Sequence, residues 1–178
     1  IRPSDRHIQY MGRISFTKPA RPAFNYPGVQ ISAASEGTSL RMLAKPKSGY
    51  FMAQIDQAEP FKVAFRGERD SVVTLATALP EGRHLVRLMY IIEGFTHYPE
   101  FWGFWLDKGR HLVEAPSMPA RKIEFIGNSI TCGYGNEGTD VNEHFEDETE
   151  NHYYSYVSIV ARNLEAQHWV VARSSIGA

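Results

Sequence analysis

The sequence predicts an antiparallel β-sandwich or jelly roll over residues 1–115, a linker at 116–120, and the opening part of an α/β unit with a parallel sheet over 121–178. Three observations carry this. Glycine and proline recur at short intervals as far as Gly82, leaving no helical stripe of useful length between them. The runs they bound alternate apolar and polar residues or are β-branched. After Pro116 and Pro119 the pattern changes to strand, helix, strand.

Phe51–Ile55 follows the turn signal Ser48-Gly49 and reads as a strand. Phe61–Phe65 alternates apolar with polar or small residues. Ser71–Leu75 and His84–Tyr90 are the strongest strand signals, with the turn Leu79-Pro80-Glu81-Gly82 between them. Phe101–Trp105 is an aromatic strand in which Phe104 and Trp105 point to opposite faces, so at most one of the two meets solvent. In Ala115–Ala120 two prolines fix φ and withhold backbone donors, which suits an extended connection. Lys122–Ile126 is a compact strand ending at Gly127, and a polar loop runs to about Asn151. Tyr153, Tyr156, Ile159-Val160 and Leu164 recur at helical spacing and predict an amphipathic helix; His168–Ala172 is a second apolar strand, parallel to the first. A parallel sheet needs cover on both faces and normally several strands. The unit is therefore expected to be part of a larger domain, continued beyond Ala178 or completed by another chain; the alternative is an appendage packed on the sandwich.

Composition excludes several classes. The 178 residues carry 19 Lys+Arg against 20 Asp+Glu, a net charge of −1, which argues against a nucleic-acid partner. A hydrophobic fraction of 43% excludes a disordered tail. No run approaches ~18 consecutive apolar residues, so no membrane-spanning helix is expected. Cys132 is the single cysteine, so there is no intramolecular disulfide. Ile1-Arg2-Pro3-Ser4 is not a secretion signal.

The most informative stretch is Ile123-Glu124-Phe125-Ile126-Gly127-Asn128-Ser129-Ile130-Thr131-Cys132-Gly133-Tyr134-Gly135. A serine just past the carboxyl end of a parallel strand lies where open α/β sheets place ligands. Gly127 is expected to let the backbone turn sharply and expose the hydroxyl. A serine nucleophile needs that exposure, a base for its proton and backbone donors for the oxyanion. The G-x-S-x-G elbow does not match, because Thr131 stands at its second glycine. On spacing alone, Gly-Asn-Ser-Ile-Thr reads more simply as a plain turn.

This stretch resembles block I of the SGNH (GDSL-type) hydrolases, and in its longer form carbohydrate esterase family 2. The likeness extends through Glu146–Asn151, Tyr153–Tyr156 and Ala161–Leu164, and to Tyr10–Ile14, Phe51–Asp56 and Phe104–Asp107 in the amino-terminal half. The resemblance implies a jelly roll followed by an SGNH domain, and a secreted, periplasmic or cell-surface enzyme that removes O-acetyl groups from polysaccharides such as xylan and glucomannan without a metal or organic cofactor. It implies Ser129 as nucleophile, with its own N–H as one oxyanion donor. Ser174-Ser175-Ile176-Gly177 resembles block II and makes Gly177 the second donor; Ser175 stands where many members have a glycine. Gly127 and Asn128 support the nucleophile turn, Asn128 replacing the family's usual Asp with a neutral side chain of similar shape. The family's block III asparagine and Asp-x-x-His segment are not found in these residues, so the general base is expected beyond Ala178. The competing expectation is a carbohydrate-binding or adhesion module with a vestigial hydrolase segment.

Other motifs yield to simpler readings. Gly133–Gly138 is a literal G-x-G-x-x-G, but it does not follow the strand directly. Glu137, Asp140, Glu143, Glu146, Asp147, Glu148 and Glu150 surround it with negative charge that disfavours a pyrophosphate. The same run fails as a calcium loop, with Phe145 where glycine is required, and reads as a solvated loop. His144 and His152 lack a His or Cys partner at zinc-binding spacing. Cys132 reads as a buried small hydrophobe, and His7, His84, His97 and His111 as surface or satisfied side chains. Trp102 and Trp105 are candidates for sugar stacking, against the simpler reading as core or interface.

Overall fold

The computed structural model describes residues 1–176, so Gly177, the expected second oxyanion donor, lies outside the described residues. The amino-terminal part is an antiparallel β-sandwich, as the turn spacing predicts. Its strands are β1 (Gln9–Met11), β2 (Gln30–Glu36), β3 (Leu40–Ala44), β4 (Gly49–Ile55), β5 (Phe61–Phe65), β6 (Val72–Ala76), β7 (Arg83–Tyr90), β8 (Phe101–Leu106) and β9 (Leu112–Val113). One sheet runs β1-β2-β7-β4-β5, with β9 pairing the far end of β2; the other runs β6-β3-β8. Both contribute to a single core, in which Phe51, Phe65, Tyr90, Phe101 and Phe104 are all fully buried. Edge-to-face pairs such as Phe51–Phe65, 6.0 Å between centroids, and Phe101–Phe104, 5.1 Å, lock the rings in place.

The strands with clean alternation fall where their pattern puts them. β5 coincides with the predicted Phe61–Phe65, while β6 is shifted by one residue at both ends and β7 begins one residue earlier. In β8, Phe104 is buried and Trp105 exposed, as their alternation requires. β2 gave no signal because five consecutive residues, Ile31 to Ser35, are buried, so no period of two survives in its sequence.

The second unit is a parallel pair, β10 (Arg121–Gly127) and β11 (Ala166–Ala172), in register from Arg121 opposite Ala166 to Gly127 opposite Ala172. Between them lie α1 (Ser129–Cys132), 3₁₀ turns at Asp147–Thr149 and His152–Tyr154, and α2 (Tyr156–Asn163). α2 departs from the expected pattern. Val157, Ser158 and Ala161 are buried, whereas Tyr156, Ile159, Val160 and Leu164, members of the stripe that predicted it, are exposed. Small residues bring the helix close to the sandwich: Ser158 Oγ lies 3.5 Å from Met89 Sδ.

That contact belongs to a row. Met11, Gln30, Met89, Met52 and Lys62 are successive cross-strand partners from β1 to β5, so they share one face of the larger sheet. The α/β unit sits along this row. His168 N–H meets Met11 Sδ at 3.3 Å, Asn151 Nδ2 meets Met52 Sδ at 3.6 Å, and Lys62 pairs with Glu137. Unbranched methionines fit a surface that is not a regular hydrophobic layer. The acidic loop is consequently not a purely solvated run. Lys62 also donates to the Glu148 carbonyl at 2.8 Å, Arg66 pairs with Glu148 at 3.1 Å, and His97 with Asp147 at 2.7 Å. The cations that the loop lacks in sequence are supplied by the sandwich.

Candidate active site

β10 ends at Gly127, and Ser129 is the first residue of α1, at the carboxyl edge of the parallel pair. Asn128 is the N-cap. Its extended backbone (φ −116°, ψ −153°) redirects the chain, and its Oδ1 accepts the Ile130 N–H at 3.1 Å. Capping needs only the amide oxygen, so Asn serves here without a charge. Helix geometry leaves the Ser129 N–H without an intrahelical acceptor. The turn ends at Gly133 in the left-handed region (φ 90°), where a Cβ would also lie 2.7 Å from the Asn151 carbonyl oxygen.

The expectation for Gly127 needs correction. Its φ is not positive; what requires glycine is space, because a Cβ would lie 2.0 Å from Thr131 Oγ1. That hydroxyl is in turn 3.1 Å from the Tyr156 hydroxyl, which ties the turn to α2.

Beside Ser129, β11 runs into the segment resembling block II. Arg173 N–H donates to the Gly127 carbonyl at 3.3 Å, so the segment after β11 leaves the sheet beside the turn that carries Ser129. Ser175 has φ 62°, the left-handed region that favours glycine.

Sequence reasoning missed the groups beneath this edge. Glu93, just past β7 and 8% exposed, accepts the Ser174 N–H at 2.6 Å and also bonds the Ser174 hydroxyl. Glu150 Oε2 accepts the Glu93 N–H at 3.1 Å. Burial pushes the Glu150 carboxyl up to about 8, and the nearby Glu93 adds to the rise although the Glu93 N–H opposes it. Cys132 is the last residue of α1 and is fully buried. Burial first, then Glu93 and Glu150, raises its thiol well above the ordinary value, which suits a packing role. Glu93, Cys132 and Glu150 place one potential ligand atom each within 4.8 Å of one another, but hydrogen bonds with Ser174 and Glu93 N–H already engage the carboxylates.

The histidines also differ from expectation. The fold gives His152 a partner that its sequence neighbours do not: its ring stacks on His168 at 5.7 Å, with both buried. His152 Nδ1 bonds the Thr131 carbonyl at 2.9 Å, which assigns the proton to Nδ1. Burial, then His168, depresses His152 to about 3; burial, then Arg162, depresses His168 to about 4. Two neutral imidazoles are too few to define a zinc site. Trp105 is exposed with Arg41 over its ring at 5.4 Å, whereas the Trp102 indole N–H is satisfied by Glu100 at 2.8 Å.

Comparison with known proteins agrees with this architecture. The family model described as Carbohydrate esterase 2 N-terminal matches residues 10–116. The chain is 38% identical over 173 residues to the cellulase/esterase CelE of Acetivibrio thermocellus, covering 96% of this chain and 21% of that protein. It is 29% identical over 174 residues to an acetylxylan esterase / glucomannan deacetylase of Cellvibrio japonicus, covering 93% of this chain and 47% of that one. A solved family two carbohydrate esterase from Clostridium thermocellum, in complex with cellohexaose, superposes with a TM-score of 0.85 at 38% identity, covering 96% of this chain and 52% of that one. The chain thus spans about half the length of that structure, and half or less of the curated relatives. The family match takes in more than half of its residues, and the chain belongs to carbohydrate esterase family 2.

Proposed function

We propose that this chain carries the nucleophile of a secreted serine esterase that removes O-acetyl groups from plant cell-wall polysaccharides of the xylan or glucomannan class. One observation carries the reading: Ser129 opens α1 at the carboxyl edge of β10, with Asn128 capping the turn and the Ser129 N–H left free by helix geometry. The strand order β2-β7-β4-β5 against β8-β3-β6 supports reading the sandwich as a jelly roll, and the parallel β10-α-β11 unit supports reading the second part as the opening of an SGNH-type sheet. The domain division is 1–115, linker 116–120, and 121–178.

In the proposed reaction Ser129 Oγ attacks the acetyl carbonyl carbon while a histidine takes its proton. The N–H groups of Ser129 and Gly177 hold the oxyanion. The bond from the acetyl carbon to the sugar oxygen breaks, and that oxygen leaves with the proton. Water then hydrolyses the acetyl-enzyme with the same base. His152 and His168 are buried, and His152 Nδ1 is committed to Thr131, which makes both poor bases; the family resemblance assigns that role to a histidine outside these 178 residues.

The test is release of acetate from acetylated xylan and from an activated acetate ester by the full-length protein, with Ser129→Ala as its counterpart. Triad members act as a unit, so the variant is expected to lose ~10⁴-fold or more in kcat. Activity that survives it overturns the assignment.

A further inference from the structure

The structure assigns to Glu93 a role in the reaction: it is the positioning residue through which the β-sandwich holds Ser174 and Ser175, the start of the segment resembling block II, beside the turn that carries Ser129. The inference rests on the esterase reading above. Its geometry is independent of that reading.

Four observations converge. Ser174 and Ser129 each lie two residues beyond the paired Ala172 and Gly127, so the Ser174–Ser175 turn leaves the sheet at the same edge at which Ser129 opens α1. That turn is strained, since Ser175 sits at φ 62° without being glycine. Something must hold it, and the anchor is the Glu93 carboxylate, which takes both the backbone N–H and the hydroxyl of Ser174. A charged acceptor makes such bonds shorter and stronger than a neutral one. Finally, Glu93 is itself held from the α/β side. Its N–H is bound by Glu150, whose neighbour Asn151 donates its N–H to the Gly133 carbonyl at the end of the helical turn that Ser129 opens. Arg173 over the Phe95 ring at 4.3 Å adds a second tie between the same two segments. The path from Ser129 to Ser174 therefore passes through a residue of the sandwich, 81 positions from the turn it anchors.

Steady-state hydrolysis of an activated acetate ester by the full-length protein tests this with four variants. Glu93→Ala is expected to lower kcat about 10- to 100-fold, the scale of a donor displaced by about an ångström, with KM within about threefold of the parent. Glu93→Gln keeps the length and one carbonyl acceptor and is expected to lose less, which also covers the case in which the alanine variant folds poorly. Ser175→Gly relaxes the strained residue. It is expected to raise kcat by a larger factor in the Glu93→Ala background than in the parent, the coupling that a merely structural loss would not show. Ser129→Ala separates the two claims. If it is inactive while both Glu93 variants keep the parental kcat, or change KM alone, the positioning role is overturned and the esterase reading stands. If Ser129→Ala stays active the esterase reading falls, and amide exchange at residues 174–176 decides the anchor: lost protection in Glu93→Ala supports it, and unchanged protection refutes it.

Discussion

Acidification measures the buried seam between sandwich and α/β unit directly. His152 and His168 have folded-state pKa values of about 3 and about 4, against 6.5 when free. The unfolded chain therefore takes up their protons first, and stability is lost as pH falls below 6.5. Glu150 works in the opposite sense. Its carboxyl sits at about 8 when folded and 4.5 when free, so between those values the folded chain holds the extra proton, and stability is lost as pH rises. From pH 6.5 to 4.5 the unfolded state gains two protons and the folded state keeps one, a net slope of about 1.4 kcal/mol per pH unit near the steep part. Integrated from pH 6.5 to 5, where titration is gradual, the loss is about 1.5 kcal/mol. Above pH 6.5 the folded state still holds the Glu150 proton up to about pH 8, so that contribution goes on falling as pH rises. His84 and His97, both raised, chiefly by bonds to Asp56 and Asp147 respectively, lose their contributions in the same direction. Asp56 and Asp107, both depressed, act only below about 3.8 and leave this window untouched. Stability should peak at about pH 6 to 6.5. Urea unfolding of the chain across pH 4.5–8 reads the curve, and two variants test its origin. His168→Gln removes one of the two opposing protons and should flatten the acid limb. Glu150→Gln should roughly double the loss between pH 6.5 and 5, to about 3 kcal/mol. Stability that holds or rises on acidification, with Glu150→Gln tracking the parent, would refute the reasoning.

Two predictions concern the nucleophile turn. Gly127→Ala drives a Cβ to 2.0 Å from Thr131 Oγ1 and should destabilise by about 2 kcal/mol or more, while Gly127→Ala with Thr131→Ala recovers only part of the loss in thermal melts, because the Cβ of residue 131 stays 2.9 Å from the added methyl. Asn128→Asp keeps the cap on Ile130 N–H and adds a negative charge to a first turn that has none, so urea unfolding should show a gain of about 0.5 kcal/mol at low salt that fades at high salt.

What was legible in the sequence was local. β5 and β7 declare themselves because one face is buried and the other is not, so their side chains record the period of the strand. β2 does not, since its buried residues leave nothing to alternate. The longer family string singles out Ser129 as a candidate, and Gly127 two residues before it stands out for a reason other than the one the string suggests. The need at Gly127 comes from Thr131, four residues on, and not from its own φ. Glu93 and Glu150 were beyond reach. Fifty-seven residues separate them, and nothing near either one in sequence marks a carboxylate as buried. Likewise, the stripe that announced α2 lies on its exposed face, because the sandwich accepts the helix through Ser158 and Ala161.

The seam is not built to maximise stability. Glu150 Oε1, His152 Nε2 and His168 Nε2 are buried with no hydrogen-bond partner among the described residues. Such atoms cost about 1–3 kcal/mol each relative to satisfied groups. An apolar interface of the same shape would hold the two units together more strongly, and the row of methionines shows that the sheet can supply one. The polar groups do what apolar ones could not. They have direction, and a carboxylate that accepts two donors fixes a turn in a way that a leucine cannot. Glu150 costs stability and holds Glu93; Glu93 holds Ser174; Ser174 precedes the strained Ser175. Stability is thus given up where position is gained, at the strand edge that carries Ser129, and the sandwich belongs to the framework of that edge as much as the parallel strands do.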